Sequence, residues 1–306
     1  MTVLVGEEEE FNIELAEMLD MELVPVTFRS FKDGEICPRI ADRNQLIDET
    51  VVLCLRKTPE ENPNDYLNKF LFTAGCIREF NRDIVGIMPY LPYARQDKDF
   101  LVGQKNIEPN SSIILLDMIS QYTGNLITFN SHFQRKQGVT ERLYNSGISL
   151  RFHNLDAFNL LNEELSAIED LVIIAPDKGM RDFAADIAKK HKCEFDYLEK
   201  ERDRTSGEIK FLEKEFDISG KNVVIPDDMV SSGSTLVKGI DSIRQHSPER
   251  VYAMFVHGAF SAGAYKQLEE VSDGLLFTDT VKNTDATVNV APYLVQHIRD
   301  AKLLNL

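Results

Sequence analysis

The sequence predicts an α/β protein of two domains, each a mainly parallel sheet flanked by helices. Three observations on the 306-residue chain carry this. Short apolar runs alternate with longer stretches of helical period, and they do so in both halves. The runs are continuously apolar instead of alternating, as strands covered on both faces require. The length suffices for two cores. No Pro/Gly-rich linker marks the division, which is placed at 147/148 to give domains 1–147 and 148–306.

In order along the first half, strands are predicted at "VVLCL" (51–55), "DIVGIMPYL" (83–91) and "NLITFN" (125–130). The second half offers "DLVIIAPD" (170–177), "NVVIPDD" (222–228), "VYAMFVHG" (251–258) and "GLLFTDT" (274–280). Between them, "SSIILLDMISQY" places Ile114, Leu115, Met118, Ile119 and Tyr122 on one helical face. "STLVKGIDSIRQH" does the same with Leu236, Val237, Ile240 and Ile243, and its serines are expected to cap the start.

A net charge of -16 and a pI near 4.9 argue against nucleic acid or an anionic membrane as partner. An anionic small molecule would need a locally basic site or a metal to offset that field. The four cysteines, Cys37, Cys54, Cys76 and Cys193, lack C-x-x-C spacing and read as reduced thiols, not as a disulfide or zinc set. The opening "MTVLVGEEEEF" lacks the basic start and long apolar run of a signal peptide, and its glutamates read as a solvated helix start. No apolar stretch reaches membrane-spanning length, so a cytoplasmic protein is expected.

In parallel sheets, ligands sit where loops leave the carboxyl ends of strands. There the chain reads "VVIPDDMVSSGSTL" (223–236). Gly233 among serines lets backbone amides turn toward a phosphate, and a helix N-terminus adds a favourable field. Ser231, Ser232, Ser234 and Thr235 supply hydroxyl donors. Asp227 and Asp228 are poor phosphate ligands but good acceptors for vicinal hydroxyls, and they can hold a divalent cation indirectly. A phosphorylated sugar presents both kinds of group. A capped turn with incidental aspartates is the plainer alternative, and adjacent acids at a buried strand end make it costly.

This stretch resembles the PRPP-binding loop shared by type I phosphoribosyltransferases and ribose-phosphate pyrophosphokinases (PRPP synthetases). The resemblance implies that Asp227 and Asp228 hold the ribose 2- and 3-hydroxyls and that 231–235 cradle the 5-phosphate. Ser232-Gly233-Ser234-Thr235 stands where Thr-Gly-Gly-Thr is frequent, and the donors are kept.

Further stretches separate a maker of PRPP from a user. "FKDGE" (31–35), alone a mere turn after a strand, resembles the Phe-x-Asp-Gly-Glu element of PRPP synthetases. This implies that Phe31 packs on adenine and that Asp33 and Glu35 bond the nucleotide across a subunit interface. "YARQDKDF" (93–100) is similar to the family's Tyr-Ala-Arg-Gln-Asp. Arg95 offers a planar cation and Gln96 a bidentate hydrogen-bonding group, and the resemblance implies that both, with Asp97, bind ATP. "NSHFQRKQG" (130–138) implies His132 on the metal ion bound with ATP, with Asn130 where an Asp is usual. "YLEKERDRTSGEI" (197–209), a solvated charge run if read alone, matches a Lys-x-Arg pair, implying Lys200 and Arg202 as catalytic cations on a mobile lid. Asp177 of "IIAPDKGMRDFA" (173–184) implies a metal or ribose contact, while Lys178 and Met180 depart from the small residues usual there.

The resemblance runs from about residue 3 to 300, so no single motif carries it. Lys-Asp-Phe after "RQD" looks more like the archaeal-type members, and "GQKNIEP" (103–109) is a few residues longer than theirs. It implies two type I phosphoribosyltransferase-like domains, the first on the nucleotide side and making oligomer contacts. The second would bind ribose 5-phosphate, with the last residues packing back on the first domain. It also implies Mg2+, ATP and ribose 5-phosphate as ligands and a homo-oligomer. A PRPP-consuming phosphoribosyltransferase explains 223–236 but leaves "FKDGE" and "YARQD" unexplained. A non-catalytic regulatory homologue remains a third reading, kept open by Asn130, Lys178 and Met180.

Overall fold

Leu4 and Val5 are wholly buried, and the strand that holds them, β1 (Val3–Gly6), lies inside the larger of two main sheets. The computed structural model describes residues 2–304 apart from 48–49, 99, 103–105, 135, 145, 203–208, 212–215 and 262. For the strand residues 100–102, 106–107, 200–202 and 209–211 the backbone alone is described. Two units divide the chain: Met1–Lys57, Glu61–Asp156 and Val290–Leu306 form the first, and Thr58–Glu60 with Ala157–Asn289 the second.

In the first unit, helix α1 (Glu10–Met18) follows β1 and leads to the hairpin β2 (Glu22–Ser30) and β3 (Ile36–Ile40). β4 (Val51–Cys54), helix α2 (Pro63–Arg78) and β5 (Ile84–Ile87) come next. Then come a ribbon of β6 (Phe100–Val102) and β7 (Asn106–Glu108), helix α3 (Ser111–Ser120), and β8 (Asn125–Phe129), β9 (Gly138–Leu143) and β10 (Ser149–Leu155). The sheet order is β3-β2-β1-β4-β5-β8-β10-β9. Every pairing from β2 to β10 is parallel, and the two edge strands β3 and β9 are antiparallel. The apolar run 83–91 yields strand only to Ile87, because Pro89 and Pro92 have no N–H to give a ladder. Its continuation is still tied in, through Met88 N–H to Ile127 O at 3.0 Å and Phe129 N–H to Pro89 O at 3.2 Å.

The unit boundary falls after Asp156 instead of at 147/148, because β10 pairs with β8 along its length and belongs to the first sheet. The chain's last helix, Ala291–Asp300, also belongs to this unit, packing on α1, with Arg299 Nη2 donating to Met18 O at 2.6 Å.

The glutamate run is not uniformly solvated. Glu9 is buried and takes a two-pronged hydrogen bond from Arg56, Nε to Oε1 at 3.0 Å and Nη2 to Oε2 at 2.9 Å. The guanidinium stacks over the Phe11 ring, 4.3 Å from its centroid. The cation sits 47 residues downstream, beyond the reach of local pattern.

The second unit opens with helix α4 (Phe158–Glu164), β11 (Leu171–Ala175), helix α5 (Arg181–His191) and β12 (Glu194–Tyr197). A ribbon of β13 (Lys200–Arg202) and β14 (Ile209–Phe211) follows. β15 (Asn222–Val230), helix α6 (Ser234–Arg244), β16 (Arg250–Gly258), helix α7 (Ala264–Val271) and β17 (Gly274–Thr278) complete it. The sheet, β12-β11-β15-β16-β17, is parallel throughout. Val223 and Ile225 of β15, Ala253 and Phe255 of β16, and Leu236 and Ile240 of α6 are buried together, so helix and sheet share one core. This explains the unbroken apolar strands.

Candidate functional site

The sequence predicts a strand that ends at Asp228, with the loop beginning beyond it. Instead β15 runs on to Val230, because β16 is equally long and its ladder reaches Val230 opposite Gly258. Asp227 and Asp228 are therefore strand residues, both half-buried, and Asp227 lies opposite Phe255. Val223, Ile225 and Val230 all face the α6–α7 core, so strict alternation breaks between Ile225 and Val230, where the aspartates sit. Asp227 Oδ1 accepts the N–H of Asp228 at 2.9 Å, which leans its carboxylate along the strand toward the loop.

The loop proper is only 231–233. Gly233 is the N-cap of α6 with a left-handed φ of 69°, and no side chain caps the helix. The expected serine cap does not form. The glycine's backbone sets the turn into the helix, and the hydroxyls of Ser232 and Ser234 face each other at 3.2 Å. Gly233 brings no capping side chain, so the amide donors of the first turn of α6 receive no acceptor from their N-cap residue, a condition that suits a helix start to an anion. Thr235, half-buried, lies in that first turn. Ser231 is tied to the next loop: Ser261 N–H donates to Ser231 O at 3.0 Å, and their Oγ atoms lie 3.2 Å apart.

At the end of β11, Asp177 Oδ1 accepts from Gly179 N–H at 2.7 Å and Met180 N–H at 3.2 Å. The carboxylate caps the turn that starts α5, a structural task beside any contact with metal or ribose. Lys178 beside it is exposed, and Arg181 lies over the Tyr197 ring at 5.7 Å. Lys200 and Arg202 have strand backbone, opposite Phe211 and Ile209. Their side chains, and the 203–208 segment expected to act as a lid, lie outside the described residues.

In the first unit, Phe31, Asp33 and Glu35 occupy the tip of the β2–β3 hairpin, all exposed. Phe31 N–H donates to Glu35 O at 2.8 Å, Gly34 N–H to Phe31 O at 3.0 Å, and Glu35 N–H to Asp33 Oδ1 at 3.3 Å. Gly34 adopts φ 96°, which explains the glycine. Arg29 lies 4.7 Å over the Phe31 ring, an exposed platform that could stack on a planar ligand.

The loop after β5 holds Arg95, exposed, with Gln96 and Asp97. Gln96 N–H donates to Tyr93 O at 2.9 Å, and its Oε1 accepts from Ser111 Oγ at 2.6 Å. Asn110, the N-cap of α3, donates from Nδ2 to Asp97 O at 2.7 Å. His132, half-buried, sits in the loop after β8. Asn130 beside it has φ 33° and donates from Nδ2 to Asp156 Oδ1 at 3.0 Å. The missing carboxylate at 130 thus has a neighbour 26 residues on, a pairing that no spacing rule anticipates. The buried Asn154 holds the same loop by accepting Ser131 N–H at 2.8 Å and donating to Gln134 O at 2.7 Å.

β5 and β8 are neighbours, so the Arg95 and His132 loops leave the sheet side by side. The hairpin tip is not brought to them. β2 is separated from β5 by β1 and β4, which at ordinary strand spacing is roughly 14 Å. Part of "GQKNIEP", 103–105, lies outside the described residues.

A strand that carries paired acids near its end, followed after a short loop by a glycine-capped helix start, is the arrangement of a phosphoribosyl-transferase-type domain. The family model described as phosphoribosyl transferase domain matches residues 156–294. The model for the N-terminal domain of ribose phosphate pyrophosphokinase matches residues 1–121. The chain is 32% identical over 291 residues to the ribose-phosphate pyrophosphokinase of Methanopyrus kandleri, covering 94% of each. Its identity to that of Saccharolobus solfataricus is 31% over 278 residues, covering 90% of each. The phosphoribosylpyrophosphate synthetase structure from Mycobacterium smegmatis shares the fold, with a TM-score of 0.79 at 21% identity and 98% of each chain covered. The chain belongs to the ribose-phosphate pyrophosphokinase family.

Proposed function

We propose that this enzyme is a ribose-phosphate diphosphokinase that makes PRPP. The C1 hydroxyl oxygen of ribose 5-phosphate attacks the β-phosphorus of ATP and gives up its proton to solvent, the bond from that phosphorus to the α–β bridging oxygen breaks, and AMP leaves. The observation that carries the sugar-phosphate half is the pairing of Asp227 and Asp228 with the glycine-capped α6 start at Gly233. The acids face hydroxyls, and the amides face phosphate.

ATP is assigned to the first unit, through Arg95, Gln96 and Asp97. Phe31, Asp33 and Glu35 are assigned to a nucleotide held by a second copy, because their hairpin tip stands apart from the Arg95 loop within one chain. A homo-oligomer is part of this reading. Lys200 and Arg202 are proposed to neutralise charge on the transferring group.

Among the described residues, no three His, Cys, Asp or Glu side chains gather into a metal cage. That suits Mg2+, which commonly arrives on substrate phosphates with few protein ligands. His132 and Asp177 are the residues proposed to contact it, and when bound it would spread the negative charge of the triphosphate. No helix among the described residues is long and apolar enough to cross a membrane. A cytoplasmic site of action is part of the proposal.

The test is a coupled assay for AMP and PRPP from ATP and ribose 5-phosphate at saturating magnesium. Wild type should form both products in equal amounts, and Lys200→Ala should lose about a hundredfold or more in kcat, the order expected for one transition-state charge contact. ATP binding without either product would overturn the reading. An unchanged Lys200→Ala rate would remove that residue from the mechanism.

A further inference from the structure

Phe260 has a backbone φ of 37°. A bulky aromatic rarely enters this left-handed region, and such strain persists where the surroundings enforce it, frequently at functional sites. Here the surroundings are aromatic. The Phe260 ring meets Phe255 at 5.6 Å, Phe277 at 5.5 Å and Tyr265 at 5.2 Å between centroids, each edge-on. Room for it exists because residue 258 is glycine: a Cβ there would lie 2.4 Å from Phe260 Cε2. Burial of the ring offsets the strain and holds the kink.

The kink aims the next residue. Past the ends of β15 and β16, Phe260 N–H donates to Val230 O and Ser261 N–H to Ser231 O, both at 3.0 Å. The Ser261 hydroxyl then meets the Ser231 hydroxyl at 3.2 Å. The turn after β16 therefore continues the ladder into the sugar-phosphate loop and fixes both the backbone and the hydroxyl of its first residue.

We propose that Phe260 and Ser261 form a positioning element for the 5-phosphate cradle, with Ser261 holding the Ser231 hydroxyl in its donating orientation. Preset donors spare the ligand the cost of ordering them, so the effect falls on ribose 5-phosphate and not on the nucleotide. This rests on the assignment of 231–235 to the 5-phosphate.

The test compares Ser261→Ala and Ser261→Thr with wild type in the full-length protein. Ribose 5-phosphate binding is measured by titration calorimetry, KM for each substrate by the AMP assay, and folding by thermal melting. Ser261→Ala should weaken ribose 5-phosphate binding and raise its KM about fivefold, the effect of one neutral hydrogen bond. KM for ATP and kcat should stay within about twofold, melting should be unchanged, and Ser261→Thr should recover the affinity. Unchanged binding in Ser261→Ala, a parallel rise of both KM values, or no recovery with threonine would overturn the proposal. Should wild type release no AMP yet bind ribose 5-phosphate in a Ser261-dependent way, the reaction would be wrong and the positioning role right. An active wild type with an indifferent Ser261 would mean the reverse.

Discussion

His153 Nδ1 lies 2.9 Å from His297 Nε2, joining β10 to the chain's last helix. His153 Nε2 lies 3.2 Å from Asn125 Oδ1, an acceptor, so that nitrogen carries the proton. Nδ1 then accepts, and His297 donates from Nε2. Burial, the second ring and Arg151 push His153 down to about 4, and burial also lowers His297. Both rings are held neutral.

A pH dependence follows. The folded values lie below the unfolded value of about 6.5, so the unfolded chain takes up protons first. The contribution is complete above about pH 6.5 and is lost as pH falls toward 4, to a total on the order of 2–3 kcal/mol for His153. Urea unfolding at several pH values should show this slope, and His153→Gln should flatten it. Equal slopes in the two proteins would sink the assignment.

The Glu9–Arg56 pair is buried and bidentate, so removing one carboxylate or guanidinium takes two charge-assisted hydrogen bonds from the other. Glu9→Ala should lower unfolding free energy by about 3 kcal/mol. A loss below about 1 kcal/mol, the range of exposed pairs, would mean that water reaches Arg56 readily.

At Gly233 the backbone is left-handed, and a Cβ would stand 3.4 Å from Ala264 Cβ. Gly233→Ala should cost about 1–2 kcal/mol in the turn. Opening of the turn to relieve that strain should raise KM for ribose 5-phosphate by about tenfold, the equivalent of about 1.4 kcal/mol, while leaving KM for ATP alone. Equal ribose 5-phosphate affinity in mutant and wild type would take the cradle away from α6.

Much of the fold was legible because the strands of both sheets are covered on two faces and read as unbroken apolar runs. β1, the β2–β3 hairpin, α2 and the β9–β10 edge did not stand out, since they are short, half-exposed or mixed in character. At the site, the residue types at the strand ends were readable from 93–97, 130–132 and 227–235. Their local conformations were less so. The strand runs past Asp228 to Val230 because β16 extends that far, and Gly233 replaces the expected serine cap.

By itself, then, the sequence determined the alternation of strand and helix and the chemistry placed at each strand's end, because both are written in neighbouring residues. Only the tertiary structure decided that Glu9 meets Arg56, that His153 meets His297 and that Ser261 holds Ser231. These partners stand 47, 144 and 30 residues apart. Which of them meet depends on strand order and on which helix covers which face, and no local pattern encodes that.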